Sequence, residues 1–331
     1  MTTAPFRLAF FSTQKYDITA FECQLPKHIT TEYFSQQLNE TSVKLAEGFD
    51  GICCFVNDVL NGDVIERLHQ LGVKLIALRC AGFNNVDLKA AKNHGIKVVR
   101  VPAYSPEAVA EHCLALILTL SRKTHKAYNR VKENNFDLNG LLGFNLHNKT
   151  VGVIGLGKIG TAFVKILNGF GANVIYVDPF TESDLAQSVS IETLYQQSDI
   201  IALHCPLTND TLHIINEQAL EQMKPGVMLV NTSRGALIDT QACINALKSR
   251  KLGYLALDVY EQESELFFKD MSCEIIDDDI FQRLLTFPNV LITGHQGFFT
   301  QEAINEIVTT TILNINQFIK HKPLDNEVRA C

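Results

Sequence analysis

The chain has 331 residues, a formal net charge of -7 and 46% hydrophobic residues. That length exceeds what one hydrophobic core usually fills, so two compact domains are expected, and the apolar content is enough to pack both. The acids are interspersed and no basic cluster stands out, which argues against nucleic acid or anionic lipid as a partner.

No apolar run reaches the roughly 18 residues that a membrane span needs, and Met1 to Phe11 lacks the charged start and cleavage pattern of a signal peptide. A cytoplasmic location is the expectation. The nine cysteines agree with it: none forms a C-x-x-C pair, so neither a disulfide framework nor a zinc site is indicated, and no metal is expected. Cys53 and Cys54 lie in an apolar run and read as buried free thiols.

Taken in chain order, short apolar runs at Arg7 to Phe11, Gly51 to Val56, Lys74 to Leu78 and Lys97 to Val99 alternate with amphipathic stretches, the pattern of a parallel sheet flanked by helices. Val101-Pro102-Ala103-Tyr104-Ser105-Pro106 then interrupts the pattern, and a helix is predicted from Glu107 to about Arg130, with Ser105 as its cap. The crossing between domains is placed near Pro102. From Thr150 the alternation restarts with strands at Val151 to Ile154, Asn173 to Val177, Ile200 to His204, Gly226 to Asn231, Tyr254 to Leu257 and Val290 to Ile292. Within this half, Gln262 to Cys273 reads as an acidic surface excursion and Asp277-Asp278-Asp279 as a solvated run. A last amphipathic helix, from Phe298 to about Ile319, is expected to return to the first domain. The fold class is therefore α/β, with two doubly wound parallel sheets and a cleft bridged by two crossings.

Val151-Gly152-Val153-Ile154-Gly155-Leu156-Gly157-Lys158-Ile159-Gly160 reads as a strand, a glycine turn and a helix start. Gly155 permits the tight turn, Gly157 lets backbone approach a pyrophosphate, and Gly160 allows helix and strand to pack closely. Phosphates would sit at the helix N-terminus, where free N–H groups favour negative charge. Asp178, at the end of the next strand, would accept hydrogen bonds from ribose hydroxyls and repel a 2'-phosphate; a plain loop acid is the bland alternative. Pro179 to Asp184 offers no Arg or Lys to such a phosphate, so NAD is favoured over NADP.

Asn231-Thr232-Ser233-Arg234-Gly235 follows a buried-type strand, at the carboxyl edge where ligands of open α/β sheets bind. An arginine there can fork two N–H groups onto a carboxylate, although a surface arginine near a turn would look the same. Asp258-Val259-Tyr260-Glu261-Gln262-Glu263 follows the next strand, and Thr293-Gly294-His295-Gln296-Gly297 the one after. His295 is thus accompanied by an acid and an arginine, whereas His112, His204 and His213 read as structural hydrogen-bonders.

These motifs, together with Ala77-Leu78-Arg79-Cys80-Ala81-Gly82-Phe83-Asn84-Asn85-Val86-Asp87 and Val101-Pro102-Ala103-Tyr104, occur in an order that resembles the D-isomer-specific 2-hydroxyacid dehydrogenases over nearly the whole chain. The resemblance implies a flavodoxin-like substrate domain at 1–101 plus 299–331 and a Rossmann NAD domain at 102–298. It implies reversible hydride transfer from NADH to a small 2-oxo acid, pyruvate giving D-lactate. Arg234 would clamp the carboxylate and carbonyl, His295 would donate the proton, and Glu263 would hold His295 charged. Ala81 and Gly82 by their backbone, with Tyr104 and Phe298, would bind substrate. Lys158, Ile159, Cys205, Pro206, Thr232 and Asp258 would join Gly155, Gly157, Gly160 and Asp178 around the cofactor, Asp258 at the carboxamide. A homodimer or homotetramer is implied too. A bulkier 2-oxo acid remains an alternative substrate, and an NAD-sensing corepressor-like protein an alternative function on the same fold.

Overall fold

The computed structural model describes residues 5–330. The chain divides into two compact units, one running up to Ser105 and resuming at Phe299, the other spanning Pro106–Phe298. The chain passes to the second unit at Pro106, close to the crossing expected near Pro102. Val101 still donates its N–H to Cys80 O at 3.2 Å, which ties the chain to the first sheet until the next helix begins.

The first unit contains β1 (Phe6–Phe10), α1 (Lys15–Glu22), β2 (Ile29–Tyr33), β3 (Gly51–Cys54), α2 (Gly62–Gln70), β4 (Leu75–Leu78), α3 (Leu88–Asn93) and β5 (Lys97–Val99). Its strands are all parallel in the order β2-β1-β3-β4-β5, a doubly wound arrangement of the flavodoxin kind. β3 and β4 are buried along their whole length, which is why both read as continuous apolar runs. β2 escapes that signal: of Ile-Thr-Thr-Glu-Tyr only Ile29 is buried, as suits an edge strand.

The second unit contains α4 (Pro106–Arg122), α5 (Thr124–Lys132), β6 (Thr150–Ile154), α6 (Lys158–Gly169), β7 (Asn173–Val177), β8 (Gln187–Ser188), α7 (Ile191–Gln197), β9 (Ile200–Leu203), α8 (Glu217–Gln222), β10 (Val227–Asn231), α9 (Thr240–Lys248), β11 (Leu252–Leu257), α10 (Asp279–Leu285) and β12 (Val290–Ile292). Its parallel strands run β12-β11-β10-β9-β6-β7-β8, a dinucleotide-binding order with the switch point between β6 and β9 and one extra strand at the β12 end. On one face α4 and α6 bury Cys113, Ile117, Leu120, Phe163 and Leu167 with Val151, Val153 and Val230. On the other, Leu194, Leu220, Ile244 and Leu247 pack against Ile201, Leu229 and Leu255. Truncating such a side chain to alanine costs about 2–5 kcal/mol.

After Phe299 the chain re-enters the first unit. α11 (Gln301–Ile319) is capped by Thr300, whose side chain accepts from Ala303 N, and buries Val308 and Ile315 among Phe10, Leu75, Ala77 and Val99.

Two sequence expectations need correction. The helix predicted from Glu107 to Arg130 is two helices, because Lys123 takes a left-handed φ of 52° and its Nζ donates to Gly140 O and Leu142 O, both at 2.9 Å. The Asp277–Asp279 run is not merely solvated: Asp278 caps α10 by accepting from Phe281 N at 2.9 Å, and it accepts the Tyr260 hydroxyl at 2.7 Å. Cys53 and Cys54 are buried free thiols. Among the described residues no helix is long and apolar enough to cross a membrane.

Candidate active site

The glycine turn between β6 and α6 is built as its spacing implies. Gly155 has φ +96°, and a Cβ there would lie 2.5 Å from Cys205 N. A Cβ on Gly160 would meet Gly155 O at 2.1 Å, whereas one on Gly157 would meet nothing within 4 Å. Tight packing at the first and third glycines, with open space at the second, fits a pyrophosphate approaching the backbone. No side chain caps α6, so its first-turn N–H groups remain available to an anion. An open hollow of about 640 Å³ lies there, lined by Leu156, Gly157, Lys158, Thr161 and Lys165 with Glu107 and Glu111 of α4.

Asp178 follows β7. One carboxylate oxygen accepts Leu156 N at 2.6 Å, and the other accepts Phe180 N at 2.8 Å and Thr181 N at 2.9 Å. The acid thus braces the glycine turn, with three of the roughly four lone-pair sites of its carboxylate taken by backbone N–H groups. Cys205 is buried after β9, with its carbonyl accepting Ser233 Oγ at 2.8 Å, and Pro206 is exposed. Thr232 is buried beyond β10.

Arg234 is presented by a turn that Asn231 fixes. The fully buried Asn231 donates from Nδ2 to Arg234 O at 2.8 Å and accepts Ser233 N at 3.0 Å. The guanidinium gives one N–H to Ser233 O at 2.7 Å, and among the described residues no carboxylate pairs with it. Gly235 lets this loop press on the one after β11: a Cβ would sit 2.1 Å from the Tyr260 carbonyl carbon.

Glu263 and His295 meet. His295 Nδ1 lies 2.8 Å from Glu263 Oε1, the two side chains being only 15% and 22% exposed. Glu263 Oε2 accepts Tyr260 N at 3.0 Å, so both its oxygens are engaged. The Phe268 ring stands 5.7 Å from the imidazole. Asp258 is buried after β11, and its carboxylate accepts Thr293 Oγ1 at 2.5 Å, Gln296 N at 2.9 Å and Gly297 N at 2.8 Å, with His112 Nε2 at 3.2 Å. Burial pushes that carboxyl upward, but the hydrogen bonds from His112, Thr293 and Gln296 N, with the electrostatic pull of His112, together hold the group below the usual carboxylate range. Phe298 is buried at the end of the second unit.

Three other expected residues lie in the first unit. Ala81 and Gly82 follow β4: Ala81 O accepts Arg100 Nη1 at 2.8 Å and Gly82 O faces the Cys80 thiol at 3.3 Å. Tyr104 lies beyond β5. The sequence reading missed Asn231 and Thr293 as parts of the site and took His112 as structural. Each had only its place at the end of or after a strand, or nearly two turns into a helix, as a signal.

Residues 114–297 match the family described as D-isomer specific 2-hydroxyacid dehydrogenase, NAD binding domain. A 2-hydroxyacid dehydrogenase homolog of Haemophilus influenzae is 53% identical over 97% of this chain and 99% of its own. A D-lactate dehydrogenase of Escherichia coli is 50% identical over 97% and 99%. The structure of a D-lactate dehydrogenase from Aquifex aeolicus, complexed with NAD and lactic acid, superposes with a TM-score of 0.88 at 32% identity, covering 98% of this chain and 99% of that one. The chain belongs to the D-isomer specific 2-hydroxyacid dehydrogenases, NAD-dependent oxidoreductases.

Proposed function

We propose that the chain acts as a D-lactate dehydrogenase, reducing pyruvate to D-lactate, with Arg234, Glu263 and His295 as its catalytic residues. The observation that carries this reading is the 2.8 Å contact between His295 Nδ1 and Glu263 Oε1; Arg234, after β10, has a fork that no carboxylate of the described residues occupies. Bound NADH would supply the hydride for the carbonyl carbon. With Nδ1 engaged by Glu263, the His295 proton available for transfer is on Nε2; it passes to the carbonyl oxygen and leaves a neutral imidazole. Tyr260 N–H keeps the Glu263 carboxylate from turning away. Arg234 grips the substrate carboxylate and stabilises negative charge developing on the carbonyl oxygen.

Ala81, Gly82, Tyr104 and Phe298 are assigned to substrate, the unit made of the two chain ends being the substrate domain. Gly155, Gly157, Lys158, Ile159, Gly160, Asp178, Cys205, Pro206, Thr232 and Asp258 are assigned to NAD. Asp258 Oδ2 accepts one donor, Gly297 N, and so retains a lone pair for a carboxamide. Exposed Tyr128, Val131, Phe136, Leu138 and Leu142, on α5 and the segment after it, support a homodimer or homotetramer. The free thiols of all eight described cysteines support a cytoplasmic location.

The test is a spectrophotometric screen of NADH and NADPH against a panel of 2-oxo acids, with chiral analysis of the product. Pyruvate reduced to D-lactate, with NADH favoured at least about tenfold in kcat/KM, is expected. Higher efficiency with phenylpyruvate would move the assignment to a bulkier substrate. No turnover of any acid, together with NAD-dependent peptide binding, would replace the enzyme reading.

A further inference from the structure

His112 lies on α4, far in sequence from the site, yet its Nε2 reaches two groups at once: Asp258 Oδ1 at 3.2 Å and Thr293 Oγ1 at 3.1 Å. The roles can be assigned. Thr293 spends its hydroxyl proton on Asp258 Oδ1 at 2.5 Å, so toward the imidazole both oxygens can only accept. Nε2 must therefore carry a hydrogen, shared between them.

Asp258 in turn binds three consecutive backbone N–H groups: His295 N to its carbonyl at 2.7 Å, Gln296 N to Oδ1 at 2.9 Å and Gly297 N to Oδ2 at 2.8 Å. That loop needs holding, because His295 itself has φ +53°, a left-handed conformation that its Cβ disfavours and that persists only where the surroundings over-determine it. Gly297 shows how closely the loop is pressed down: a Cβ there would stand 3.0 Å from Asp258 Oδ2 and 3.4 Å from His112 Cδ2. The His112 side chain is 16% exposed and Asp258 2%, so water competes poorly for these bonds.

We infer that His112 is a positioning residue for the reaction: by donating to Asp258 and Thr293 it fixes the loop that aims the His295 imidazole, without itself touching substrate. The inference rests on the assignment of His295 as proton donor. It gives α4 a task beyond packing, since the helix that covers the sheet also supplies the donor completing the anchor of the His295 loop.

Two variants test it. His112→Leu keeps the bulk but removes the donor; His112→Gln keeps an N–H at similar reach. The Leu variant is expected to lose about tenfold or more in kcat for pyruvate, with the NADH dissociation constant, read from NADH fluorescence, and the melting temperature near wild type. The Gln variant should recover most of the lost kcat. Should the Leu variant not fold, a Gln variant with wild-type kcat beside a His112→Asn variant, whose shorter arm lowers kcat at unchanged NADH affinity, supports the same inference. Equal kcat in all variants, or a loss that follows melting temperature and that Gln does not rescue, overturns it. The wild type separates this result from the functional reading. If it reduces another 2-oxo acid but not pyruvate, the substrate assignment falls and that acid carries the comparison. If it reduces none while the Leu and wild-type loops show the same His295 imidazole nitrogen shifts by NMR, both fall.

Discussion

His204 sets a measurable acid limit on the second unit. It follows β9, its ring centroid lies 5.0 Å from that of Phe163 at a tilt of 57°, and its buried Nε2 has no hydrogen-bond partner among the described residues. Burial pushes its imidazole down to about 4 from an ordinary 6.5. The unfolded chain therefore takes up a proton on this histidine at a pH where the folded chain does not. Its contribution to stability is complete above about pH 6.5 and is lost as the pH falls toward about 4. At about 1.4 kcal/mol per pH unit the ceiling is about 3 kcal/mol, of which about 2 is gone by about pH 5. His204→Leu replaces a half-buried ring, whose buried Nε2 lacks a partner among the described residues, with an apolar side chain of similar volume, so stability near pH 7.5 should stay within about 1 kcal/mol of wild type. Urea unfolding followed by circular dichroism at about pH 7.5 and about pH 5 should show wild type losing about 2 kcal/mol more than the variant between the two conditions. Equal losses in the two proteins would refute the reasoning.

Three shorter predictions concern the site. Arg234→Lys keeps the charge but loses the planar fork, so kcat/KM for pyruvate should fall roughly 100-fold while NADH fluorescence titrations change little; a near-normal value would place the clamp elsewhere. Glu263→Gln removes the carboxylate that holds His295 Nδ1 at 2.8 Å, so kcat/KM for pyruvate should fall about tenfold or more while NADH fluorescence titrations change little; an unchanged kcat/KM would break the proposed pairing. Gly160→Ala places a methyl 2.1 Å from Gly155 O; the turn must shift, and the NADH dissociation constant should rise about tenfold or more by fluorescence titration.

What the sequence disclosed depended on how local its causes were. β3, β4, β9 and β10 are buried on both faces, and that burial is written as unbroken apolar runs. The glycine turn is legible for a similar reason: three glycines answer three different steric demands within six residues of chain. β2 was hidden because its exposed Thr30 and Glu32 dilute the signal. The break at Lys123 was hidden because neither Gly nor Pro marks it; what holds Lys123 there is a pair of carbonyls at Gly140 and Leu142. Within the site, Glu263 and His295 each follow a strand, so their pairing could be argued from topology. The pairing of His112 with Thr293, 181 residues apart, could not, since nothing on the α4 face distinguishes that histidine from one that merely packs.

The first unit is closed by two segments far apart in sequence. Phe318 of α11 meets Phe6 of β1 edge-on at 6.0 Å, Asn314 Nδ2 donates to Arg100 O at 2.8 Å, and Val328 N donates to Val98 O at 2.8 Å. β1 to β5 precede α11 in the chain, so the apolar surface that Val308 and Ile315 cover stays open until α11 has been made. The unit spanning Pro106–Phe298 is continuous and lies between the two, so it can complete its core earlier. The first unit is thus begun before the second and completed after it.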